Sequence, residues 1–457
     1  MEDVMQTRLR EALGHAKADY AEVRIERRNT TRVGYVGREL EQISEFSGLG
    51  GCVRALVDGG WGFVSFNDLT DLPRLVRAAC EQAGMVGRGR SGLGAPQPTI
   101  DSVVARPGVD PRDVPLRQKE ELCRRYNDQI LGHDSVQTSS VRYQDSTVRS
   151  TFVSTEGAMV ESEAVFCGVL LLAIARDGMN VQRGYRSVGD LRGYQVCEGL
   201  DEECERAVER AAALLAAEPV KGGQYSVIAD PQLAGVFAHE AFGHLSEADF
   251  VYENPQLLEV MELGRRFGQD HLTIVDDPTL EGEAGSYRYD SEGTPSRRTA
   301  LVQDGILTSR LHSRETAAKM AEEPTGNARA INHEHQPIVR MSNTFIEPRD
   351  WDFERLIADT GEGLYARGSV GGMTNMEMFT FSAEEAFMIR DGQLAERVRE
   401  VVLTGNVFET LASIDAIGND LKLTGGLGGC GKEGQSPLRV STGAPHIRIR
   451  NCLVGGR

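Results

Sequence analysis

Tyr225-Ser226-Val227-Ile228-Ala229-Asp230-Pro231 opens the stretch on which the fold turns, and His239-Glu240-Ala241-Phe242-Gly243-His244 closes it. The first five residues read as a strand. Asp230 suits a helix N-cap and Pro231 the first helical position, so a helix is predicted from 231 into the 240s. Around it the pattern is mostly strands and turns. Leu301-Val302-Gln303-Asp304-Gly305-Ile306-Leu307 and Met388-Ile389-Arg390-Asp391-Gly392-Gln393-Leu394 each read as a hairpin with a tight turn at Asp-Gly. One helix therefore interrupts a β-rich region, and it carries the chemistry.

The motif is HExxxH, one residue longer than the zincin HExxH. At about 100° per residue, histidines four apart differ by about 40° around a helix, and histidines five apart by about 140°. The two rings converge only if one turn widens to a π-bulge, or if the helix ends at Gly243 and His244 bends back. Two histidines near a helix C-terminus also suit the dipole without any metal, so a third ligand decides. Candidates are Cys430, Cys452, His271, the cluster His333-Glu334-His335, and the acids Glu247 and Asp249. Cys430 lies in a ten-residue loop, 425–434, that is mostly glycine, and its thiolate would complete a His₂Cys set with one position left for water. The same loop matches GxGxxG at 426–431 and approaches a P-loop at 426–432. Both motifs need a helix to begin there, which Gly434 and Pro437 forbid.

Upstream, residues 2–14 read as an amphipathic helix, and 21–26 and 31–36 as half-buried strands. A helix at 68–84, a long Gly- and Pro-rich surface loop over 87–114, a helix near 116–130 and strands near 138–156 and 160–174 follow. The helix over 201–217 has acids in its first turn and Ala and Leu beyond, and Pro219 with Gly222-Gly223 stops it. The boundary placed there gives an N-terminal α/β domain, 1–220, and a C-terminal β-rich domain, 221–457, an α+β chain. Arg24-Ile25-Glu26-Arg27-Arg28 reads as a solvated strand face, and His333-Glu334-His335 as a surface strand.

The 457 residues carry 68 acidic and 50 basic side chains, a formal charge of −18, which opposes nucleic acid and anionic membranes as partners. No apolar run is long enough to span a bilayer and no signal peptide is evident, so a cytoplasmic protein is expected. Eight scattered Cys without a CxxC pair suit neither a disulfide framework nor a zinc ribbon.

His239–His244, Pro324-Thr325-Gly326-Asn327, Arg340-Met341-Ser342-Asn343-Thr344, Gly418-Asn419-Asp420-Leu421 and Gly429-Cys430-Gly431-Lys432-Glu433-Gly434-Gln435-Ser436 together resemble the TldD/PmbA (modulator of DNA gyrase) metalloproteases, in the TldD-like, metal-bearing branch. PmbA-type partners, also called TldE, lack HExxxH. The resemblance implies one zinc per chain on His239, His244 and Cys430, with Glu240 as general base. It also implies a barrel-like C-terminal domain, dimerisation with a PmbA-type partner or with itself, and unfolded peptides as substrates, including peptide-antibiotic precursors and antitoxins. Asn332-His333-Glu334-His335-Gln336 departs from the more apolar stretch of the family.

The chemistry this pattern allows is peptide hydrolysis: the metal activates water, Glu240 takes its proton, and an edge strand of the C-terminal domain pairs with peptide backbone. Tyr287, Tyr289, Arg297 and His335 are candidate oxyanion or substrate contacts. The competing readings are a zinc hydrolase of small amides, which requires a closed pocket, and a silent scaffold subunit.

Overall fold

The structure, a computed structural model, describes residues 2–87, 89, 91–94, 98–375 and 377–455. Its first sheet has seven strands: β1 (Tyr20–Val36), β2 (Glu39–Val57), β3 (Gly60–Phe66), β4 (Ile100–Val103), β5 (Val136–Ser154), β6 (Met159–Asp177) and β7 (Asn180–Asp190). They run in the order β3-β2-β1-β5-β6-β4, with β7 also on β6. β1 is a single strand where alternation predicts two. Arg27, Arg28, Asn29 and Thr30 stay paired with β2 on one side and β5 on the other, and two ladders hold the backbone extended whatever the local polarity. The 87–114 stretch holds β4 and a short 3₁₀ turn, Pro111–Asp113; its residues 88, 90 and 95–97 lie outside the described residues.

Residues i and i+2 of a strand share a face. Val23, Ile25, Val33 and Tyr35 of β1 thus point together, toward two apolar cores. Helices α1 (Glu2–Leu13) and α2 (Leu72–Val86) close one core, and α3 (Leu116–Leu131) and α4 (Asp201–Ala216) the other. The alternate residues face the C-terminal half. Arg24 donates to the Asn332 carbonyl at 2.9 Å and Arg28 to that of Ile331 at 2.8 Å, while Arg54 on β2 bonds Glu292 at 3.0 Å. Of the basic stretch expected to be solvated, Arg27 is exposed as expected, whereas Arg24 and Glu26 are buried and Arg28 half-buried in an internal seam. Residues 332–335 form a turn fastened to it, not a strand.

Beyond it lie β8 (Glu218–Pro219) and β9 (Gly223–Ala229), in a ten-stranded sheet. β9 sits near the middle, antiparallel to Ile447–Gly455 and parallel to Gly363–Arg367. A six-stranded sheet runs from Ile306–Leu307 to Lys422–Thr424. The C-terminal half is β-rich as expected, but neither sheet closes into a barrel: Gly371–Asn375 and β8 end the larger one, each with a partner on one side only among the described residues. Both Asp-Gly hairpins form, and Asp304, Gly305, Asp391 and Gly392 all have positive φ, as a tight hairpin turn requires.

Helix α5 (Pro231–Phe237) leaves the end of β9 and wedges between the two sheets. Phe237 packs edge-on against Phe379 and Phe381 of the larger sheet. On the other side Gly235 lies against the backbone of Gly443 in the smaller sheet, where an added methyl group would meet main-chain atoms at 2.6–2.9 Å. Main chain cannot step aside as a side chain does, so overpacking there costs about 1–3 kcal/mol. Gly235→Ala should lower the denaturation midpoint by a corresponding amount in chemical unfolding; an unchanged midpoint would contradict the wedge.

Candidate metal centre

The Asp230 carboxylate accepts from the Leu233 amide at 2.9 Å and the Gly368 amide at 3.0 Å, which caps α5 and ties it to the strand beside β9. After Phe237 the helix widens into a π turn, Ala238–Gly243, in which the His244 N–H donates to the His239 carbonyl five residues back. The wider ring absorbs the extra residue of the motif. Gly243 permits this geometry because any side chain there would collide with Met341 Sδ. A 3₁₀ turn, His244–Ser246, follows, and Ser246 Oγ donates to the Phe242 carbonyl at 2.9 Å. The two imidazoles meet, with ring centroids 5.4 Å apart and planes at 80°. Of the two routes to convergence, this chain takes the widened turn.

Cys430 arrives from the opposite side on a short strand, Cys430–Lys432, paired with Gln435–Leu438. No helix begins in the glycine loop. Arg340, wholly buried, donates to the Cys430 carbonyl at 2.7 Å and to that of Gln435 at 3.2 Å, which fixes this hairpin. Cys430 Sγ stands 3.2 Å from His244 Nε2, and ligand atoms of His239, His244 and Cys430 all lie within 4.8 Å of one another. A tetrahedral ion with bonds of about 2.0–2.3 Å holds its ligand atoms about 3.3–3.6 Å apart, so the three donors fit such an ion after small adjustments.

The electrostatics suit a cation. Burial pushes the Cys430 thiol up, but hydrogen bonds and charge from His239 and His244 outweigh it and bring the group down to about 5. Burial likewise lowers His244, yet the Glu247 carboxylate and Cys430 raise it to about 11. Glu247 is fully buried and bonded to His244 Nδ1 at 2.9 Å, so it stands behind a histidine and does not face the thiol as a ligand.

His239, Glu240 and Cys430 line a cavity of about 980 Å³ between the two halves. One wall comes from β7 (Val181, Gln182, Arg183, Tyr185, Ser187), the other from Ser369–Gly372 beside the larger sheet. The glycine loop closes the floor, with the Leu427 amide donating to Ser187 Oγ at 2.9 Å. Glu240 keeps its carboxylate partly open to the cavity, with Oε2 3.8 Å from His244 Nε2.

The other residues singled out from sequence lie elsewhere. Tyr287 is half-buried against Arg329 and donates to the Gly326 carbonyl at 2.9 Å. Tyr289 donates to Asp101 at 2.8 Å, Arg297 is exposed, and His335 Nδ1 bonds Asn332 Oδ1 at 2.7 Å. None of the four lines the cavity, because the 287–297 segment and the turn at 335 pack toward the N-terminal sheet. Cys452 is buried in the strand beside β9, His271 Nε2 bonds the Ile414 carbonyl, and His333 Nε2 bonds Asn67 Oδ1. What sequence reading missed are the groups behind the candidate donors: Arg340 on the Cys430 carbonyl, Glu247 on His244, and Lys432 at 3.2 Å from Glu247. Two of these stand inside the quoted motifs, as charged residues among glycines or apolar neighbours.

Three domain models of the PmbA/TldA metallopeptidases match the chain: domain 1 over 21–83, the central domain over 109–217 and the C-terminal domain over 222–456. The chain therefore belongs to the PmbA/TldD family of metallopeptidases. It is 45% identical over 444 residues to a metalloprotease of Synechocystis, 96% of each chain. It is 31% identical to the zinc metalloprotease TldD homolog of Saccharolobus solfataricus over 71% of this chain and 72% of that one. TldE from Thermococcus kodakarensis shares the fold, with a TM-score of 0.79 at 17% identity over 99% of this chain and 100% of its own.

A thiol lowered to about 5 remains thiolate until pH falls through that value, whereas Cys452, pushed up by burial to about 12, stays protonated throughout. In metal-free protein, iodoacetamide should label Cys430 at a nearly constant rate from about pH 8 to pH 6 and more slowly below about pH 5. Mass spectrometry of the labelled peptides checks this; a rate that rises steadily up to about pH 9 would contradict the lowered value.

Proposed function

We propose that the protein is a cytoplasmic zinc peptidase that hydrolyses unfolded peptides, with one zinc per chain held by His239, His244 and Cys430 and with Glu240 as general base. The observation that carries this reading is the convergence of three donors within 4.8 Å on the wall of a large cavity into which Glu240 also projects. Zinc bound there supplies Lewis-acid polarisation of the scissile carbonyl and a water acidified to about pKa 7. Glu240 takes the proton of the attacking water and passes it to the leaving amine. The cavity walls hold the peptide extended across the site. Two end strands border the cavity, β7 and Gly371–Asn375, whose edges, unpaired among the described residues, offer N–H and C=O groups to a backbone of any sequence. That opening favours peptides over the small amides of the competing reading.

Glu240→Ala should retain near-stoichiometric zinc and lose hydrolysis of an unstructured peptide. Cys430→Ala should lose zinc, while Cys452→Ala keeps it. Zinc analysis beside a peptide-cleavage assay reads all three; continued cleavage by the Glu240 variant rejects the mechanism.

We also propose that the chain works with a partner subunit, a TldE-like chain or a second copy. No helix among the described residues is long and apolar enough to cross a membrane. β2 leaves residues 39–50 unpaired on one edge among the described residues and exposes Leu40, Ile43 and Phe46, the last at 62%. An uncovered apolar edge of this length invites pairing. Leu40→Asp with Phe46→Asp should reduce the assembled mass in light scattering without unfolding the chain; an unchanged mass would remove this edge from the interface.

A further inference from the structure

The strand that delivers Cys430 also delivers Lys432, and strand alternation buries both while Gly431 between them is exposed. Cys430 meets His244 on one side, and Lys432 reaches its other side through Glu247. Cys430 Sγ faces Nε2 at 3.2 Å, and Glu247 Oε2 bonds Nδ1 at 2.9 Å. Lys432 Nζ lies 3.2 Å from that same Glu247 oxygen. The ammonium has three protons to donate. It donates hydrogen bonds to Asp249 Oδ1 at 2.7 Å and to the Val339 carbonyl at 3.0 Å, and pairs with Glu247 by charge. The Glu247 side chain has no exposed surface, and that of Lys432 has 2%. The Phe250 ring covers the ammonium at 4.1 Å.

A carboxylate at Nδ1 accepts a hydrogen bond from Nδ1–H, keeps the proton on that nitrogen and leaves the Nε2 lone pair directed toward the thiol side, the tautomer a metal on that side requires. A buried carboxylate with no cation beside it is costly to hold, and Lys432 is that cation. From this geometry we infer that Glu247 and Lys432 are positioning residues for the metal centre: Glu247 orients His244, and Lys432 fixes Glu247 while locking the Cys430 strand to the turn that carries His244. The device is a chain of four groups, Lys432 to Glu247 to His244 to Cys430, whose two ends belong to one three-residue strand. His239 Nδ1 is buried with no hydrogen-bond partner among the described residues, whereas His244 Nδ1 is held by Glu247.

This inference rests on the proposed ligand set, and its test separates the two. Zinc dissociation constants are measured by chelator competition on the full-length chain for wild type, Glu247→Leu, Glu247→Gln, Lys432→Met and Cys430→Ala, beside the unfolding midpoint of each metal-free protein. Removal of a group that hydrogen-bonds a metal ligand typically costs about 10–100-fold in metal affinity. Glu247→Leu and Lys432→Met should fall in that range. Glu247→Gln, which keeps an oxygen to accept the Nδ1 proton, should recover at least half of the loss on a logarithmic scale, with its metal-free midpoint close to that of wild type. A merely structural role would lower affinity in step with the midpoint and show no such rescue by Gln. If Glu247→Gln and Lys432→Met bind zinc as tightly as wild type while Cys430→Ala does not, the positioning role is refuted and the ligand set survives. If Cys430→Ala also binds like wild type, the ligand set itself falls and the positioning role with it. Should Glu247→Leu fail to fold, the Gln and Met variants decide alone.

Discussion

One backbone hydrogen bond, from the His244 amide to the His239 carbonyl, sets the geometry on which the site depends. It closes a ring one residue wider than that of an α-helix and so brings together side chains that a regular helix would turn apart. A π turn is an unfavourable choice for an isolated segment. Here the surroundings impose it: α5 is capped by Asp230, pressed between Phe379 and Phe381 on one side and the Gly443 backbone on the other, and followed at once by a 3₁₀ turn. Gly243 makes the arrangement possible by leaving room for Met341.

The rest of the centre is assembled from distant parts of the chain by groups that do not face the cavity. Arg340 grips the hairpin of Cys430 through two carbonyls, and Lys432 binds the same hairpin to the turn after the π segment. A cluster of buried charge is tolerable in an apolar interior when each member is paired. These pairs resist separation because breaking one leaves a charge without solvent. The N-terminal sheet contributes no donor. It contributes the wall of the cavity through β7 and meets the C-terminal half through Arg24, Arg28 and Arg54.

Much of this was legible in the sequence where the signal is local. The Asp230-Pro231 start of α5, the two Asp-Gly hairpins and the acid-headed helix α4 follow from capping, turn chemistry and propensity, which act within a few residues. The widened turn was legible as one of two alternatives, since five-residue spacing and Gly243 restrict the choices. Other features escaped because their causes lie far away in the chain. β1 runs unbroken through Arg27–Thr30 because two neighbouring strands hold it, and Arg24 is buried and Arg28 half-buried because carbonyls of residues 331–335 lie over them. The same turn carries His335 away from the cavity, and Tyr287 and Tyr289 are engaged elsewhere by Gly326 and Asp101.

The sequence by itself determined the candidate donor types, the helix that bears two of them and the glycine that lets their spacing close. It did so because covalent spacing and φ/ψ restriction are properties of adjacent residues. Only the tertiary structure decided that Cys430 completes the trio, that Glu247 stands behind His244 as a support, and that the cavity opens between two sheet edges. Those outcomes depend on contacts between residues such as His244 and Cys430, 186 positions apart, and contacts at that range are set by how whole sheets pack.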